Sequence, residues 1–591
     1  MIGAGCGLTM ADRTRRVLPQ LAAVLLLCGL HSAKAQPAPE PATGVRPQAE
    51  VAAHRHMIVA NNPLAAAAGL AMLRQGGSAV DAAIATQMVL NLVEPQSSGI
   101  GGGAFILYWS PHEQALDSYD GRETAPAAAR PDRFLGPDGK PRTFWDAVVG
   151  GRSVGVPGVL RALELAHAAH GKLPWADLFK PAIDLAETGF PISPRLHAEL
   201  AFDPYLKRFE PARSYFYRPD GTPKPVGTRL ANPALAATLR TIAEHGADAF
   251  YSGPIAADVV RAVTGAPVNP GDLSLADLAA YRAVRRPPVC GSYRADLVCG
   301  MGPPSSGGVT LLEILGMLQS FDIGATPPGS AAGIHLYAEA AKLAYADRDR
   351  YLADSDFVPV PVRGLIDPAY LAARARLIDP DRSMALARPG EPPIKTGWQW
   401  RAGASLDLPS TSQISIVDDD GDALAMTTSI ETMFGSQQMV DGFLLNNQLT
   451  DFSFLPERDG VPVANRVEPG KRPRSAMAPT LVLDREGRFF MAIGSPGGPE
   501  IINYVGKTIL GVVDWRLGIE AAIALPNFGS RNGPVEIEAG PTAAALSNGL
   551  AALGETVHIR PLNSGLAGIL KTGDGLAGGA DPRREGVALG D

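Results

Sequence analysis

The chain has 591 residues, 46% of them hydrophobic, with 60 acidic against 53 basic side chains and a formal charge of −7. A chain of this size and composition can bury a large core, as several domains or as one large layered domain. The acidic balance excludes nucleic acid as the main partner, because phosphate binding relies on clustered Lys and Arg.

At the N-terminus Arg13, Arg15 and Arg16 precede the apolar run Val17–Leu30, followed by Ala33-Lys34-Ala35. A basic, an apolar and a small-x-small region in this order make residues 1–35 a signal peptide, cut before Gln36, with Met10 an alternative start. The apolar run is short for a membrane span, and bulky Leu27 precedes Cys28 where a lipid attachment site wants a small residue. Residues 36–48 are Pro/Ala-rich and read as a disordered lead-in. No other stretch is long and apolar enough to cross a bilayer. The sequence therefore predicts an exported protein, periplasmic or secreted, with no membrane attachment after signal removal.

Asn62–Val93 has apolar residues at helical spacing, broken at Gly76-Gly77 and restarted with Ser78 as N-cap. The glycine-rich loop Ser97–Phe105 then leads into a strand, Phe105–Trp109. A glycine cluster that precedes a strand and does not open a helix argues against a dinucleotide site. Val159–His170 and Trp175–Glu187 read as helices. Glu164, His167 and His170 fall at the polar, fraying end of the first, where solvated histidines are expected. With no zinc or EF-hand pattern in the chain, no metal and no cofactor are predicted.

Cys290 and Cys299, the two cysteines left after signal removal, frame VCGSYRADLVC. A hairpin turning at Arg294-Ala295 sets them face to face at a non-hydrogen-bonded pair, and a disulfide is predicted. Helices dominate to about Asp354, and Gly390–Leu408 reads as a linker. Strands then take over: Gln413–Val417, Ala423–Thr428, Phe443–Asn446, Thr480–Leu483 and Phe489–Ile493, with helices at Ile502–Val513 and Leu517–Ala524. This order predicts an α/β layered fold.

Within Pro409–Gly435 the pattern is strand, turn, strand. Asp419-Asp420-Gly421 forms the loop, with Gly421 in the left-handed conformation that closes it. Asp418 then faces Asp422, Val417 faces Ala423, and Thr411 lies opposite Ser429, with Glu431 beyond it. One face gathers hydroxyls, an amide and a carboxylate, the other is aliphatic. A solvated hairpin would show the same polar face, so the pattern alone names no activity.

Longer stretches carry a resemblance. STSQISIVDDDGDALAMT (Ser410–Thr427), FLLNNQLTDF (Phe443–Phe452), GKRPRSAMAPT (Gly470–Thr480) and GSPGG (Gly494–Gly498) resemble the γ-glutamyltransferases, or glutathione hydrolases. GIGGGAF, DGRETAP (Asp120–Pro126), PPSSGG, KLAYADRDRYLAD (Lys342–Asp354) and ADPRREG fit the same family in the same order. The family is similar to other N-terminal-nucleophile hydrolases, which implies a four-layer αββα sandwich made as one precursor that cuts itself. The resemblance puts the cut between Ser410 and Thr411, giving a large subunit 49–410 and a small subunit 411–591 that stay together as a heterodimer. The freed α-amine of Thr411 titrates near pH ~7.7–8.0 and can act as base beside its own hydroxyl, so no histidine is needed.

The resemblance implies further roles. The backbone of Gly497-Gly498 would hold the oxyanion, and Arg122 would pair with a substrate α-carboxylate. Ser475 stands near that carboxylate too, while Gln448 and Asp451 would hold the α-ammonium. Ser429 replaces the family's usual threonine opposite the nucleophile. Glu431 stands where many members have asparagine, and Ala476 replaces the second serine of a Ser-Ser pair. Ser453–Gly470, where some bacterial members carry a tyrosine-bearing lid, has no tyrosine. The implied activity is transfer of the γ-glutamyl group of glutathione or related amides onto Thr411, and from there to water or to an amino acid or peptide. A glutaryl or cephalosporin-type acylase on the same scaffold is the alternative, and an unprocessed binding protein a third.

Overall fold

In the computed structural model the residues described are 40, 43–393, 397, 400–403, 410–573 and 575–591. The signal peptide and parts of the lead-in and of the Gly390–Leu408 linker lie outside the described residues.

The hairpin of Ser412–Val417 and Ala423–Ser429 pairs antiparallel with Val417 opposite Ala423 and Ser412 opposite Thr428. Continued by one residue, that register sets Thr411 against Ser429. Gly421 closes the loop at φ 79°. The Asp418 carboxylate accepts the N–H groups of Ala79, Asp420 and Asp422 at 2.9–3.0 Å, so the acidic run is a capped turn. Burial and the neighbouring Asp422 push the Asp418 carboxyl up to about 6.

This hairpin is the middle of a seven-stranded antiparallel sheet ordered Val587–Gly590, Met57–Ala60, Ser412–Val417, Ala423–Ser429, Gly103–Ser110, Ala115–Gly121, Val284–Arg286. A second seven-stranded sheet runs Val51–Ala53, Gly575–Ala580, Ala567–Thr572, Phe489–Gly494, Thr480–Leu483, Asp296–Gly300, Val289–Tyr293. Val417, Ala423, Ala425, Leu481, Ala492 and Ile569 share one core between the sheets. On the outer face of the first sheet, Ile414, Ile416, Leu424 and Met426 pack with the helices Pro63–Arg74, Ala79–Val93 and Val159–His170. Outside the second, Val482, Met491 and Ile493 pack with Gly307–Leu318, Ala331–Tyr351 and Ile501–Val513. The layers are therefore helix, sheet, sheet, helix, as expected.

The polar face of the hairpin is not solvated. Gln413 and Ser415 are fully buried. Gln413 accepts from Thr427 Oγ1 at 2.6 Å, and Ser415 Oγ donates to the Ala567 carbonyl at 2.9 Å across the sheet interface. A Cβ at Gly494 would lie 2.2 Å from Gln413 Oε1, so glycine there makes room for the amide. Small partners, not water, receive this face.

Other expectations need correction. His170 is not solvated: its ring stacks on Tyr108 at 3.9 Å between centroids and bonds to Tyr119 Oη at 2.6 Å. The stretch Trp175–Glu187 divides into a 3₁₀ turn, Trp175–Phe179, and a helix, Lys180–Thr188, with Pro181 in its first turn. Met57–Ala60, Ala567–Thr572, Gly575–Ala580 and Val587–Gly590 are strands that the sequence pattern does not signal. Ser78 caps its helix as expected, in a reciprocal box with Asp81. Among the described residues no helix is long and apolar enough to cross a membrane.

Both sheets mix strands from the two sides of residue 410. Ser412–Val417 pairs with Met57–Ala60, Ala423–Ser429 with Gly103–Ser110, and Thr480–Leu483 with Asp296–Gly300. A break at that point would leave the pieces joined by buried ladders.

Cys290 and Cys299 are disulfide-bonded, opposite each other in the edge hairpin, with Cα atoms 4.1 Å apart and the turn at Arg294, φ 55°. The short loop should give about 2–3 kcal/mol by restricting the unfolded chain. Denaturant unfolding of the Cys290→Ser/Cys299→Ser variant should show a loss of that size. Two titratable thiols in denatured, unreduced exported protein would contradict the bond.

Candidate active site

Thr411 directly precedes the central strand Ser412–Val417. Its Oγ1 donates to the carbonyl of Ser410, and Ser429 Oγ lies 3.3 Å away. Ser429 Oγ donates to the same carbonyl at 3.1 Å and accepts the N–H of Glu431 at 2.8 Å. Two hydroxyls thus converge on one peptide oxygen, polarising the bond to which Thr411 belongs. Ser410 is fixed on its other side by Oγ donating to the Gln96 carbonyl at 2.8 Å. Next along the strand, Gln413 N–H donates to Asn61 Oδ1 at 2.6 Å. All of these groups are buried.

One small pocket opens on Thr411, with a cavity volume of about 20 Å³. Of the residues anticipated from sequence, Arg122, Ser410, Thr411, Ser429, Glu431, Gln448, Asp451, Ser475 and Gly498 line it. Gly497 adjoins Gly498, and both hold left-handed backbone, φ 139° and 56°. A Cβ at Gly497 would lie 2.5 Å from Tyr504, so the loop closes on the aromatic ring only with glycine. The helix Ile501–Val513 follows directly and presents its N-terminal end to the pocket through Ile501.

The charged wall is built from distant segments. The Arg122 guanidinium pairs with the Asp451 carboxylate, and Gln448 Nε2 donates to the same oxygen at 2.9 Å. Arg122 also donates to the carbonyls of Pro473 and Arg474 at 3.1 Å. Glu431 is held at φ 80° with its carboxylate accepting from Asn447 Nδ2 at 3.0 Å. Glycines let this wall close: a Cβ at Gly101 would lie 2.1 Å from the Leu444 carbonyl.

Several lining residues were not anticipated. Met477 and Ile501 form apolar wall beside Ala476. The loop at Ser305-Ser306 holds Ser475 in place. Ser306 donates to the Ser475 carbonyl through N and Oγ, at 2.7 and 2.6 Å, and Arg348 Nε donates to Ser306 Oγ at 2.9 Å. Glu123 is fully buried, 3.7 Å from Arg122, and burial pushes its carboxyl up to about 8 against that neighbour. Only Glu123's position directly after Arg122 was a sequence signal. Elsewhere His335, Glu339 and Glu555 lie within metal-binding distance of one another. Lys342 Nζ already fills that trio, 2.7 Å from Glu339 and 2.6 Å from Glu555.

The Gamma-glutamyltranspeptidase family model matches residues 65–591. The chain belongs to the gamma-glutamyltranspeptidase family. It is 35% identical over 587 residues to a glutathione hydrolase proenzyme of Escherichia coli (strain K12), covering 96% of this chain and 97% of that one. An acylase ACY 1 proenzyme of Pseudomonas sp. (strain SE83) is also 35% identical, over 550 residues, covering 90% and 93%. Among solved structures, the cephalosporin acylase from Bacillus halodurans superposes with a TM-score of 0.80 at 27% identity, over 93% of this chain and 98% of that one. The fold is that of the N-terminal-nucleophile hydrolases. As a gamma-glutamyltranspeptidase family member the chain is an enzyme whose relatives are made as self-cleaving precursors.

Arg122 is part of the fold. It is 1% exposed and bonded to two carbonyls as well as to Asp451. Arg122→Ala strips a buried carboxylate of its guanidinium partner and should cost about 3–5 kcal/mol of stability. Denaturant unfolding of the variant measures this. A midpoint equal to wild type would show that Arg122 does not hold the fold.

Proposed function

We propose that this chain is a γ-glutamyl hydrolase and transferase that cuts itself between Ser410 and Thr411 and then uses Thr411 as nucleophile. The observation that carries this reading is the convergence of Thr411 Oγ1 and Ser429 Oγ on the Ser410 carbonyl. In self-cleavage Thr411 Oγ1 attacks the Ser410 carbonyl carbon. The peptide C–N bond breaks as the hydroxyl proton passes to the nitrogen. Water then hydrolyses the ester, leaving a Ser410 carboxylate and an α-amine on Thr411. In turnover that amine takes the hydroxyl proton as Oγ1 attacks a γ-carbonyl. The leaving amine departs with a proton, and water or an amino acid or peptide amine receives the acyl group.

Arg122 and Ser475 offer donors to an α-carboxylate. Asp451, Gln448 and Glu431 face an α-ammonium, and the Gly497-Gly498 backbone the oxyanion. A pocket with that charge pattern suits the amino-acid end of glutathione-type substrates. The two products remain a heterodimer through the shared sheets. The signal-like N-terminus makes the mature enzyme periplasmic or secreted.

Thr411→Ala should abolish both reactions, because one hydroxyl serves both, while Thr411→Ser retains part of each. Denaturing gels and γ-glutamyl-p-nitroanilide assays check this. Two normal chains from Thr411→Ala would overturn the assignment.

One observation favours a second reading, a glutaryl-type acylase. Ala476 lines the pocket where the family's second serine would donate to a carboxylate. A missing donor to a buried charge costs on the order of 1–3 kcal/mol. Ala476→Ser should therefore raise kcat/KM for γ-glutamyl-p-nitroanilide about tenfold and leave glutaryl-p-nitroanilide, without an α-carboxylate, little changed. A wild-type preference for the glutaryl compound, unmoved by the serine, would favour the acylase.

A further inference from the structure

Behind the nucleophile strand five charged side chains from four parts of the chain are buried together. Glu40, Glu94, Arg195, Glu199 and Arg584 are each at most 2% exposed. Glu40 Oε2 accepts from Arg195 Nη2 at 2.8 Å and from Arg584 Nη2 at 2.6 Å. Arg584 Nη1 in turn donates to the carbonyl of Thr411 at 3.0 Å. Glu94 accepts from Ser412 Oγ at 2.8 Å, and Glu199 lies 3.1 Å from Arg195. Three carboxyls thus share two guanidiniums, and burial pushes Glu94 up to about 7 and Glu199 up to about 8. Glu40 is the member whose single oxygen bridges both arginines.

Glu40 belongs to the stretch that composition reads as a disordered lead-in, yet its surroundings are specific. Its backbone carbonyl accepts from Asn563 Nδ2 at 2.9 Å. Further along, the N–H of Arg46 donates to the Pro582 carbonyl at 2.7 Å. Signal removal before Gln36 keeps Glu40 in the exported chain. We propose that Glu40 is a positioning residue for self-cleavage and turnover, its carboxylate locking Arg584 onto the Thr411 carbonyl. Without the bridging anion, two buried guanidiniums face each other and Arg584 is pushed off that carbonyl. The loss matters most after the cut, when Thr411 is a chain end. The Arg584 bond to its carbonyl and the contact of its hydroxyl with Ser429 then hold the nucleophile.

This inference rests on the proposed use of Thr411, and the experiment separates the two. Wild type, Glu40→Gln, Glu40→Asp and Arg46→Ala are produced as full-length precursors. Each is followed for appearance of two chains, then for kcat and KM on γ-glutamyl-p-nitroanilide. Glu40→Gln should mature more slowly and lose about tenfold or more in kcat, as small misplacements of a nucleophile do, with KM changed less than about twofold. Its KM holds because Arg122, Asp451 and Ser475 stay untouched. Glu40→Asp, which keeps the charge one methylene short, should fall between. Arg46→Ala, which keeps its backbone bond, should match wild type. Maturation and kcat of Glu40→Gln equal to wild type would overturn the inference, as would a lowered melting temperature with kcat intact. If Glu40→Gln does not fold, Glu40→Asp decides in the same way. A wild-type protein that neither cuts nor turns over would instead defeat the proposed function itself.

Discussion

The structure depends on holding one hydroxyl against one carbonyl in the middle of a protein. Thr411 Oγ1 and Ser429 Oγ meet the Ser410 oxygen only because Thr411 and Ser429 are opposite each other across the central hairpin. A shift of one residue in that register would turn every side chain to the other face. The turn at Asp418–Asp422, the aliphatic face toward the helices and the polar face toward the second sheet all enforce the same pairing. Three independent constraints on one register are what a reaction needing sub-ångström placement requires.

Placing such a site between two sheets puts charge where water cannot reach it. The pocket wall answers this by pairing Arg122 with Asp451 and with two main-chain carbonyls, so the guanidinium is held even without a substrate. Behind the strand, the carboxyls around Arg195 and Arg584 share two positive charges, and burial raises those of Glu94 and Glu199. From this cluster Arg584 donates to the carbonyl of Thr411. This bond connects the strand that follows Thr411 to the turn at Asp581–Arg584, far away in sequence and adjacent in space.

Much of this was legible in the sequence, for identifiable reasons. The hairpin register followed from Asp-Asp-Gly at the loop, and the disulfide from the two-residue turn at Arg294-Ala295. Most pocket residues followed from family motifs, each short enough to be read locally, while Met477 and Ile501 did not. Three features were not legible. The polar face of Ser412–Val417 looks like a solvated face, because a partner sheet built with Gly494 and Ala567 leaves no mark in the strand's own pattern. The strands Gly575–Ala580 and Val587–Gly590 are Gly- and Ala-rich, and tertiary pairing places them where β propensity does not. The Glu40–Arg195–Arg584 contact joins segments hundreds of residues apart, and no spacing rule reaches that far.

The central claim is that the residue freed by the cut is the one that carries the acyl group. Mass spectrometry of mature enzyme, quenched during turnover of a γ-glutamyl anilide and digested, tests this most directly. The account predicts that the peptide beginning with Thr411 gains the mass of one γ-glutamyl group, on its threonine oxygen. An adduct on any other residue, or a small chain that begins elsewhere than Thr411, would contradict it.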